Sequence, residues 1–251
     1  SLVEQGANAS VHLYIPMSYK RFPDWDGTLP EIPEGVLLCR TERDYGPATK
    51  VLCAVAEFKG KNVQILFCDD DGTHKAGWAD RLFKEQEYRP DVAIATWGRH
   101  IQGYLPHQAK HPIGPRAVFI PLVRDYRYRL GRVCQKLFGY RLAKRPTYKS
   151  GFCDVFFGVG GVVIRPSFFD ESAFEIPDVA WLVDDVWLSA MLAKNGIPIF
   201  CPRRMPMPIE TLAANESSLL DLDIGNTEKN RQALNKKAAL YCFEKLGIWS
   251  Q

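Results

Sequence analysis

The stretch Asn62 to Trp78, NVQILFCDDDGTHKAGW, decides the fold class of this chain. Its apolar part, Val63 to Cys68, is predicted to be a buried strand, and three consecutive carboxylates follow it, Asp69, Asp70 and Asp71. Adjacent carboxylates repel one another and cannot be buried unpaired, so a cation or a set of donors is expected to hold them. In an open α/β sheet, ligands bind at the carboxyl ends of the strands. The triad is therefore a candidate site for a hard metal ion, although a solvated Asp-Gly turn would have the same sequence.

Strands and helices alternate over the first hundred residues. The predicted strands are Val11 to Pro16, Gly35 to Arg40, Val63 to Cys68 and Asp91 to Thr96, and the predicted helices are Ala48 to Phe58 and Lys75 to Glu87. This alternation predicts an α/β fold with a mixed, mostly parallel central sheet flanked by helices. No Gly-rich phosphate loop of the Rossmann or Walker type is present.

The composition is that of an ordinary globular protein. Charged residues make up 24% and apolar residues 46% of the 251 residues, which argues against disorder and against a coiled coil. No run of about 18 apolar residues occurs and the start lacks the pattern of a secretion signal, so a cytoplasmic protein is expected. The seven cysteines are scattered and form no close pair of the kind that binds zinc, so we expect reduced core thiols.

A basic segment lies between Arg116 and Lys149, where ten Lys and Arg residues stand against one acid, Asp125. Its apolar residues recur at spacings of three and four, which predicts one side of an amphipathic helix within residues 122–145. They are Leu122, Tyr126, Leu130, Val133, Leu137 and Tyr140. Such a helix can lie on an anionic membrane surface, or it can pack on its own domain with a solvated basic face. Nucleic acid is not expected as a partner, because no aromatic-interleaved binding motif accompanies the charge.

A second acidic motif opens the stretch Trp181 to Phe200, WLVDDVWLSAMLAKNGIPIF. Asp184 and Asp185 are predicted to begin a buried helix that ends at Asn195-Gly196-Ile197-Pro198. Two acids at a helix start are stabilised by the helix dipole, but one would suffice to cap the helix. The second acid therefore suggests a functional role.

Together these motifs resemble the GT-A fold, nucleotide-sugar-dependent glycosyltransferases, and in particular bacterial inverting members of the family-2-like type. The strand ending in Asp69-Asp70-Asp71 resembles their Asp-x-Asp motif, and Asp184-Asp185 resembles the acidic pair that opens their acceptor-side helix. The motif Asp44-Tyr-Gly-Pro-Ala-Thr-Lys50 and the loop Gly158 to Pro166 fall in the same order as in those proteins. The resemblance covers roughly Val11 to Pro202, without the basic segment.

The resemblance implies a single GT-A-like domain over residues 1–251. Its parts would be a nucleotide-sugar half at about 11–100, a basic amphipathic insert at about 116–150, an acceptor half at about 151–202, and a C-terminal helical tail at 203–251. It implies transfer of a sugar from a nucleoside-diphosphate sugar, of the UDP type, to a hydroxyl of a glycan or lipid-linked acceptor.

On the donor side, the resemblance implies that Asp71, with Asp69 directly or through water, holds Mn²⁺ or Mg²⁺. Asp70 or Asp69 would meet the hydroxyls of the ribose or the sugar. Lys50 would reach either the diphosphate or Asp44. No histidine lies beyond His111, so a histidine metal ligand near the C-terminus, as some related enzymes have, is absent here.

On the acceptor side, the resemblance implies that Asp185, with Asp184 as the alternative, is the general base that deprotonates the attacking hydroxyl. Attack opposite the leaving group would invert the anomeric centre. Gly160, Gly161 and Trp181 would border the acceptor, with the indole face suited to a sugar ring.

Two other functions fit parts of the sequence. Asp69-Asp70-Asp71-Gly72-Thr73 matches the signature of haloacid-dehalogenase-like phosphatases, with Asp69 as the nucleophile and Asp71 as the general acid and base. Two strands and a helix precede it, whereas that signature normally lies near the domain start. A non-catalytic, membrane-docked module that binds a sugar nucleotide is the other alternative, since an intact triad indicates metal-binding capacity rather than turnover.

Overall fold

A five-stranded sheet forms the centre of the fold in the computed structural model. The structure describes residues 1–6, 8–105, 114–120, 143–210 and 228–249, together with residues 126, 129, 130, 133, 134 and 137. The strands are β1 (Val11–Pro16), β2 (Val36–Thr41), β3 (Ile65–Phe67), β4 (Gly72–Thr73), β5 (Ala93–Ala95), β6 (Gly98–Arg99), β7 (Val118–Phe119), β8 (Thr147–Lys149), β9 (Gly151–Cys153), β10 (Val155–Phe156), β11 (Val162–Ile164), β12 (Ile199–Cys201) and β13 (Ile209–Glu210). The α-helices are α1 (Thr49–Glu57), α2 (Trp78–Glu87), α3 (Asp184–Lys194) and α4 (Glu228–Leu246). Short 3₁₀ turns lie at Val3–Gln5, Gly46–Ala48, Ile101–Gly103, Gly158–Gly160, Pro166–Phe168, Glu171–Phe174 and Asp178–Ala180.

The central sheet is mixed, with the strand order β3-β11-β5-β12-β9. Strand β11 is antiparallel to β3 and β5, β12 is parallel to β5, and β9 is antiparallel to β12. Strands β3, β5 and β12 therefore share one direction, and the carboxyl end of β3 leads into the three aspartates. The predicted α/β fold, with a central mixed sheet flanked by helices, is confirmed.

The core strands are shorter than the sequence predicts. The predicted strand Val63 to Cys68 is reduced to Ile65–Phe67, and Asp91 to Thr96 is reduced to Ala93–Ala95. The predicted runs extend beyond the residues that pair: of the flanking residues only Thr96 is buried, and Val63, Cys68 and Val92 are half-buried. Strands β5, β11 and β12 are buried at every position, which explains why their sequences are continuously apolar rather than alternating.

Helices cover both faces of the sheet. On one face, α1, α3 and α4 contribute to a large apolar cluster that includes Leu52 and Leu188. On the other face, Trp78 and Leu82 of α2 pack against Ile94 of β5. Helix α3 is buried nearly all round, as its sequence predicts.

Strands β1 and β2 form a separate parallel pair in the described part of the chain, in which Val11 lies opposite Val36 and Pro16 opposite Thr41. The sequence places both strands correctly to within one residue, but it does not indicate that they pair outside the central sheet. Helix α1 packs against β1. This packing fixes the direction in which the first turn of α1 points.

The basic segment is described only at residues 126, 129, 130, 133, 134 and 137, all of which are helical. The predicted stripe residues Leu122 and Tyr140 lie outside the described residues. The other four are exposed by 70% at Tyr126, 62% at Leu130, 53% at Val133 and 70% at Leu137. The described part of the apolar stripe is therefore exposed.

Arg116, which the sequence places at the start of the basic segment, pairs with a buried aspartate. Its Nη1 donates to Oδ1 of the buried Asp154 at 3.0 Å, and its Nη2 donates to Oδ2 of the same carboxylate. Oδ2 also accepts from the backbone N–H of Ile101 at 2.7 Å. This charge is thus neutralised inside the fold.

Helix α4 spans Glu228–Leu246, within the helical tail that the resemblance implies at 203–251. It packs against α3 and against the turn Asp178–Ala180. Residues 211–227 of the predicted tail lie outside the described residues. Among the helices that the structure describes, none has the length and apolarity that crossing a membrane requires.

Candidate active site

Lys50 joins the two acidic motifs that the sequence identifies. It lies in the first turn of α1, and its Nζ is 2.5 Å from Oδ1 of Asp69, just beyond the end of β3. The same Nζ is 3.2 Å from Oδ2 of Asp184, the first residue of α3. The end of β3 and the start of α3 therefore face each other, with the Lys50 ammonium between them.

This arrangement stabilises the charged form of Lys50. Burial acts to lower the pKa of Lys50, but the carboxylates of Asp184 and Asp69 outweigh it and raise that pKa above its ordinary value. The three side chains are 28%, 35% and 12% exposed at Lys50, Asp69 and Asp184. The cluster is thus open to a ligand from the cleft.

Asp185 is fixed by a backbone donor. The N–H of Gly158 donates to Oδ1 of Asp185 at 2.9 Å. Burial, together with the neighbouring charge of Asp184, raises the pKa of Asp185 well above its ordinary value, although Lys50 and the Gly158 N–H act against that rise. A carboxylate with a raised pKa accepts a proton more readily than an ordinary aspartate does, which is the property of a general base.

Asp70 and Asp71 line the same cleft as Asp69. Asp70 is exposed and Asp71 is half-buried. The turn that carries them is held by the pairing of β4 with β13. Carboxylate oxygens grouped on one turn fit a hard divalent cation, which prefers oxygen ligands. Asp69, Asp70 and Asp71 are therefore the residues that could hold such an ion.

Asp44 and Trp181 shape the entrance to the cleft. Both oxygens of Asp44 accept backbone bonds of 2.7 Å, Oδ2 from Lys20 and Oδ1 from Gly46. Lys50 pairs with Asp69 and Asp184 in the structure, and its predicted contact with the diphosphate or with Asp44 stays a prediction. Trp181 lines the cleft and packs on Gly46, and the Lys20 ammonium lies 4.6 Å from its ring centroid.

Gly160 and Gly161, predicted to border the acceptor, are buried in the core instead. A Cβ on Gly160 would lie 2.9 Å from Met207 Sδ, and one on Gly161 would lie 2.1 Å from Trp78 Cζ2. Their small size therefore serves close packing. Gly158, which is also buried, lies beside the candidate base, because its Cβ position is 3.0 Å from Asp185 Oδ1.

An aromatic wall of the cleft was missed from the sequence. The rings of Trp97 and Phe157 are 4.6 Å apart between centroids, and both line the cleft with Arg99 and Tyr104. The Arg99 guanidinium lies 5.1 Å from the ring centroid of Tyr104. Trp97 directly follows the predicted strand Asp91 to Thr96, so the rule that ligands bind at strand ends was a signal for it.

The expectation of reduced core thiols holds only in part. All seven cysteines are free; Cys53, Cys153, Cys201 and Cys242 are buried, whereas Cys39, Cys68 and Cys134 are partly exposed.

A central mixed sheet, with carboxylates at a strand end facing carboxylates at a helix start, is the arrangement of a GT-A fold enzyme. The model of glycosyl transferase family 2 matches residues 28–154, about half of the chain. The chain therefore belongs to glycosyl transferase family 2 and is a glycosyltransferase. A search of curated proteins finds no match.

The family match includes Lys50 and the triad Asp69 to Asp71, and it ends before Asp184. Membership implies a nucleotide-sugar donor and an acceptor, and enzymes of this family commonly use divalent metals. The roles of individual residues rest on the geometry above.

Proposed function

We propose that this enzyme moves a sugar from a nucleoside-diphosphate sugar, of the UDP type, to a hydroxyl of a glycan or glycolipid acceptor, with inversion of the anomeric centre. The observation that carries the proposal is the ammonium of Lys50, which contacts Asp69 of the strand-end triad and Asp184 of the helix-start pair. Donor-side and acceptor-side carboxylates thereby share one cleft, as a direct transfer between two substrates requires.

Asp71, together with Asp69, would hold Mn²⁺ or Mg²⁺, and Asp70 would meet hydroxyls of the ribose or the sugar. These residues suit such an ion by their chemistry, because three carboxylates on one turn offer the oxygen ligands that hard cations prefer. The ion would supply neutralisation of the leaving diphosphate. Lys50, already charged and in the cleft, would turn from Asp69 towards the diphosphate and bind its negative charge.

Asp185 is the proposed general base. Asp184 is the weaker candidate because its Oδ2 is paired with Lys50. Asp185 is oriented by the Gly158 N–H, and its raised pKa suits proton acceptance. It would take the proton of the acceptor hydroxyl as that oxygen attacks from the side opposite the diphosphate, and inversion follows from this placement.

The acceptor would lie between Trp181 and the aromatic wall of Trp97 and Phe157. All three rings line the cleft. Aromatic faces suit the apolar faces of sugar rings, and Arg99 beside them can donate to sugar hydroxyls.

Thermal unfolding with a panel of nucleoside diphosphates and nucleotide sugars, each with Mn²⁺, Mg²⁺ or EDTA, tests the donor. A donor at about 100 times its dissociation constant stabilises the protein by about 2.7 kcal/mol. We expect a metal-dependent rise in the unfolding temperature with uridine nucleotides. Asp71→Asn should abolish that rise, and Asp91→Asn, an exposed aspartate outside the cleft, should keep it.

Turnover of the same variants separates binding from catalysis. Asp185→Asn should keep the metal-dependent shift and lose about 10²- to 10⁴-fold in rate. A wild-type protein that binds the donor without hydrolysing or transferring it would instead be the non-catalytic module. Beryllofluoride trapped on Asp69, with no response to any sugar nucleotide, would support the phosphatase alternative.

We further propose that the basic segment docks the enzyme on an anionic membrane, at the cytoplasmic face. Tyr126, Leu130, Val133 and Leu137 form an exposed apolar stripe on described helical residues. Basic residues surround the stripe in sequence, including Arg124, Arg127, Arg129, Arg132, Lys136 and Arg141. Insertion of such a stripe, with cations at the headgroups, is the binding mode of interfacial helices.

Co-sedimentation with phosphatidylcholine vesicles, with and without phosphatidylserine, tests this docking. We expect binding to the anionic vesicles only, weakened by high salt and by changing Arg127, Arg129 and Arg132 to Glu. The double change Leu130→Asp and Leu137→Asp should abolish it. Tyr88→Asp, which alters a ring that is 82% exposed elsewhere, should have no effect. Binding that survives all these changes would refute the proposal.

A further inference from the structure

Three potential metal ligands converge on the face where α1 packs against β1 and β2, away from the acidic motifs. They are His12 on β1, Cys39 on β2 and Glu57 at the last position of α1. Cys39 Sγ lies 3.5 Å from His12 Nδ1, and Glu57 Oε2 lies 3.9 Å from the same nitrogen. One ligand atom from each residue lies within 4.8 Å of the other two.

The fold accounts for this convergence. In the parallel pair, Cys39 is the register partner of Tyr14, and His12 precedes Tyr14 by two residues, so all three side chains share one face. Helix α1 packs on that face, and the Tyr14 hydroxyl donates to Glu57 Oε2 at 2.5 Å. The tyrosine thus holds the glutamate towards the histidine.

The spacing of the ligand atoms matches a tetrahedral zinc ion. With Zn–S near 2.3 Å and Zn–N near 2.0–2.1 Å, the S to N edge of a tetrahedron is about 3.6 Å. The observed separation of Cys39 Sγ and His12 Nδ1 is 3.5 Å. The corresponding N to O edge is about 3.4 Å, so the Glu57 carboxylate, 3.9 Å from Nδ1 on a side chain that is 41% exposed, must move closer to the ring and has room to do so.

The second ring nitrogen of His12 supports the same interpretation. Nε2 lies 2.8 Å from the hydroxyl of Ser10, a hydrogen bond that orients the ring as metal-binding histidines are commonly oriented. With the proton on Nε2, the lone pair of Nδ1 faces both Cys39 and Glu57. Because Glu57 lies on the same ring nitrogen as Cys39, it cannot orient the ring as the acid of a cysteine–histidine–carboxylate triad, which needs the acid on the opposite nitrogen.

We propose that His12 Nδ1, Cys39 Sγ and the Glu57 carboxylate bind one zinc ion, with water in the fourth position. The thiol proton of Cys39 passes to solvent when the ion binds. Thiolate and imidazole select zinc over the hard ions expected at Asp71, so the two sites differ in metal preference. The ion would tie β1 and β2 to the end of α1 opposite Lys50, about 10 Å along the helix, and would thereby stabilise the helix that presents this lysine.

The sequence gives no sign of this site, because the cysteine and the histidine are 27 residues apart and neither belongs to a spaced motif. Strand register and helix packing create it. The proposal does not depend on the donor or acceptor assigned above.

Cobalt(II) and zinc(II) titrations of the metal-free full chain test the proposal. With Co²⁺, wild type should give the thiolate-to-metal charge-transfer absorption of a cysteine ligand, at one ion per chain, and added zinc should remove it. Mg²⁺ or Mn²⁺ in excess should not. Competition with a chromophoric chelator then gives the zinc dissociation constant.

Cys39→Ser should abolish the charge-transfer band, and Cys39→Ser and His12→Gln should each weaken zinc binding by about 100-fold or more. Cys134→Ser, a change at another partly exposed thiol, should leave both unchanged. Unfolding of the metal-free variants checks that each one folds. The proposal is overturned if wild type gives no charge-transfer band, or if Asp71→Asn rather than Cys39→Ser removes the zinc.

Discussion

Lys50 is the residue on which the candidate site depends most. Its ammonium neutralises carboxylates from two parts of the chain, and it lies where a diphosphate would bring further negative charge. In the structure without substrate it therefore prevents repulsion among Asp69, Asp184 and Asp185.

Removing this charge should change the pH dependence of the reaction. The cation of Lys50 lowers the pKa of Asp185, so Lys50→Met should raise that pKa further. A general base works only when deprotonated, and the acid limb of the kcat/KM profile should therefore move to higher pH. We expect a loss of at least about tenfold at neutral pH, measured as release of nucleoside diphosphate.

The matched control is Lys59→Met, which removes an exposed lysine that pairs with Glu171 outside the cleft. Its profile should overlay that of wild type. An acid limb that stays in place in Lys50→Met would show that Lys50 does not act on the base.

His74 gives a prediction for stability. Burial lowers the pKa of this ring from 6.5 to about 4, and it stacks on Trp78 with centroids 3.7 Å apart. The folded protein prefers the neutral ring, whereas the unfolded chain binds a proton near pH 6.5. Stability due to His74 is therefore present above pH 6.5 and is lost as the pH falls towards 4, by about 3 kcal/mol in all.

Urea unfolding of wild type and His74→Gln at pH 7 and pH 4.5 measures this effect. The variant should lose less free energy of unfolding between the two pH values, because it has no ring to protonate. Equal losses would mean that folding does not lower the pKa of the His74 ring.

At this scale the sequence identifies the acids but not their partners. Asp69, Asp184 and Asp185 stand at a predicted strand end and a predicted helix start, and such positions can be read from periodicity. Their contacts with Lys50 and Gly158 join distant parts of the chain, and no local pattern encodes them. The sequence assigns Gly160 and Gly161 to the acceptor side because it gives no sign that Gly161 packs against Trp78.

Among the elements, the turn Gly158–Gly160 matters because it sets the position of Asp185, the proposed base. Gly158→Ala would place a Cβ 3.0 Å from Asp185 Oδ1, so the carboxylate must shift by a few tenths of an ångström. Since a misplacement of about 1 Å costs about 10²-fold in rate, this smaller shift should cost about tenfold or less. We expect that loss in kcat with little change in the unfolding temperature.

Gly161→Ala is the contrasting change on the same loop. Its Cβ would meet Trp78 at 2.1 Å, and its φ of +90° disfavours any side chain. It should lower the free energy of unfolding by about 3 kcal/mol, as urea titration would show. If Gly158→Ala loses stability instead of rate, the turn serves folding rather than catalysis.

Helices were predicted more accurately than strands. Helix α4 lies within the predicted helical tail at 203–251, and α1 differs from its prediction by about one residue at each end. Helix α2 begins at Trp78 rather than at Lys75, because Gly77 adopts a left-handed conformation with φ 73°. Strand ends were less accurate, because apolar residues such as Val63 and Val92 continue the hydrophobic run without pairing and are only half-buried.

At the scale of the whole molecule, α4 packs against the side of the fold that carries Asp184 and Asp185. It packs on α3 and on Asp178–Ala180, and Ala238 and Ala239 are fully buried there. Ala239→Leu should overpack this contact and cost about 1–3 kcal/mol of stability in urea unfolding. Ala233→Leu, at an exposed position of the same helix, should be nearly neutral; equal effects would mean that α4 is not tightly docked.

Fold class could be predicted from the chain because alternation of elements specifies it, but the order of the strands could not. Strand β11 inserts between β3 and β5 from nearly seventy residues beyond β5. Long-range pairing of this kind depends on the complete core and leaves no local signature.

The hydrogen bond from Gly158 to Asp185 has a consequence for regiochemistry. Because Oδ1 already accepts the Gly158 N–H, Oδ2 has more free lone-pair density to take a proton. An acceptor bound as proposed, against the aromatic wall, would bring one ring hydroxyl at a time to that oxygen. If Asp185 is the base, the acceptor hydroxyl that can give its proton to Oδ2 is the hydroxyl that attacks. Acceptors that place the same hydroxyl at Oδ2 should therefore all receive the sugar at the same carbon.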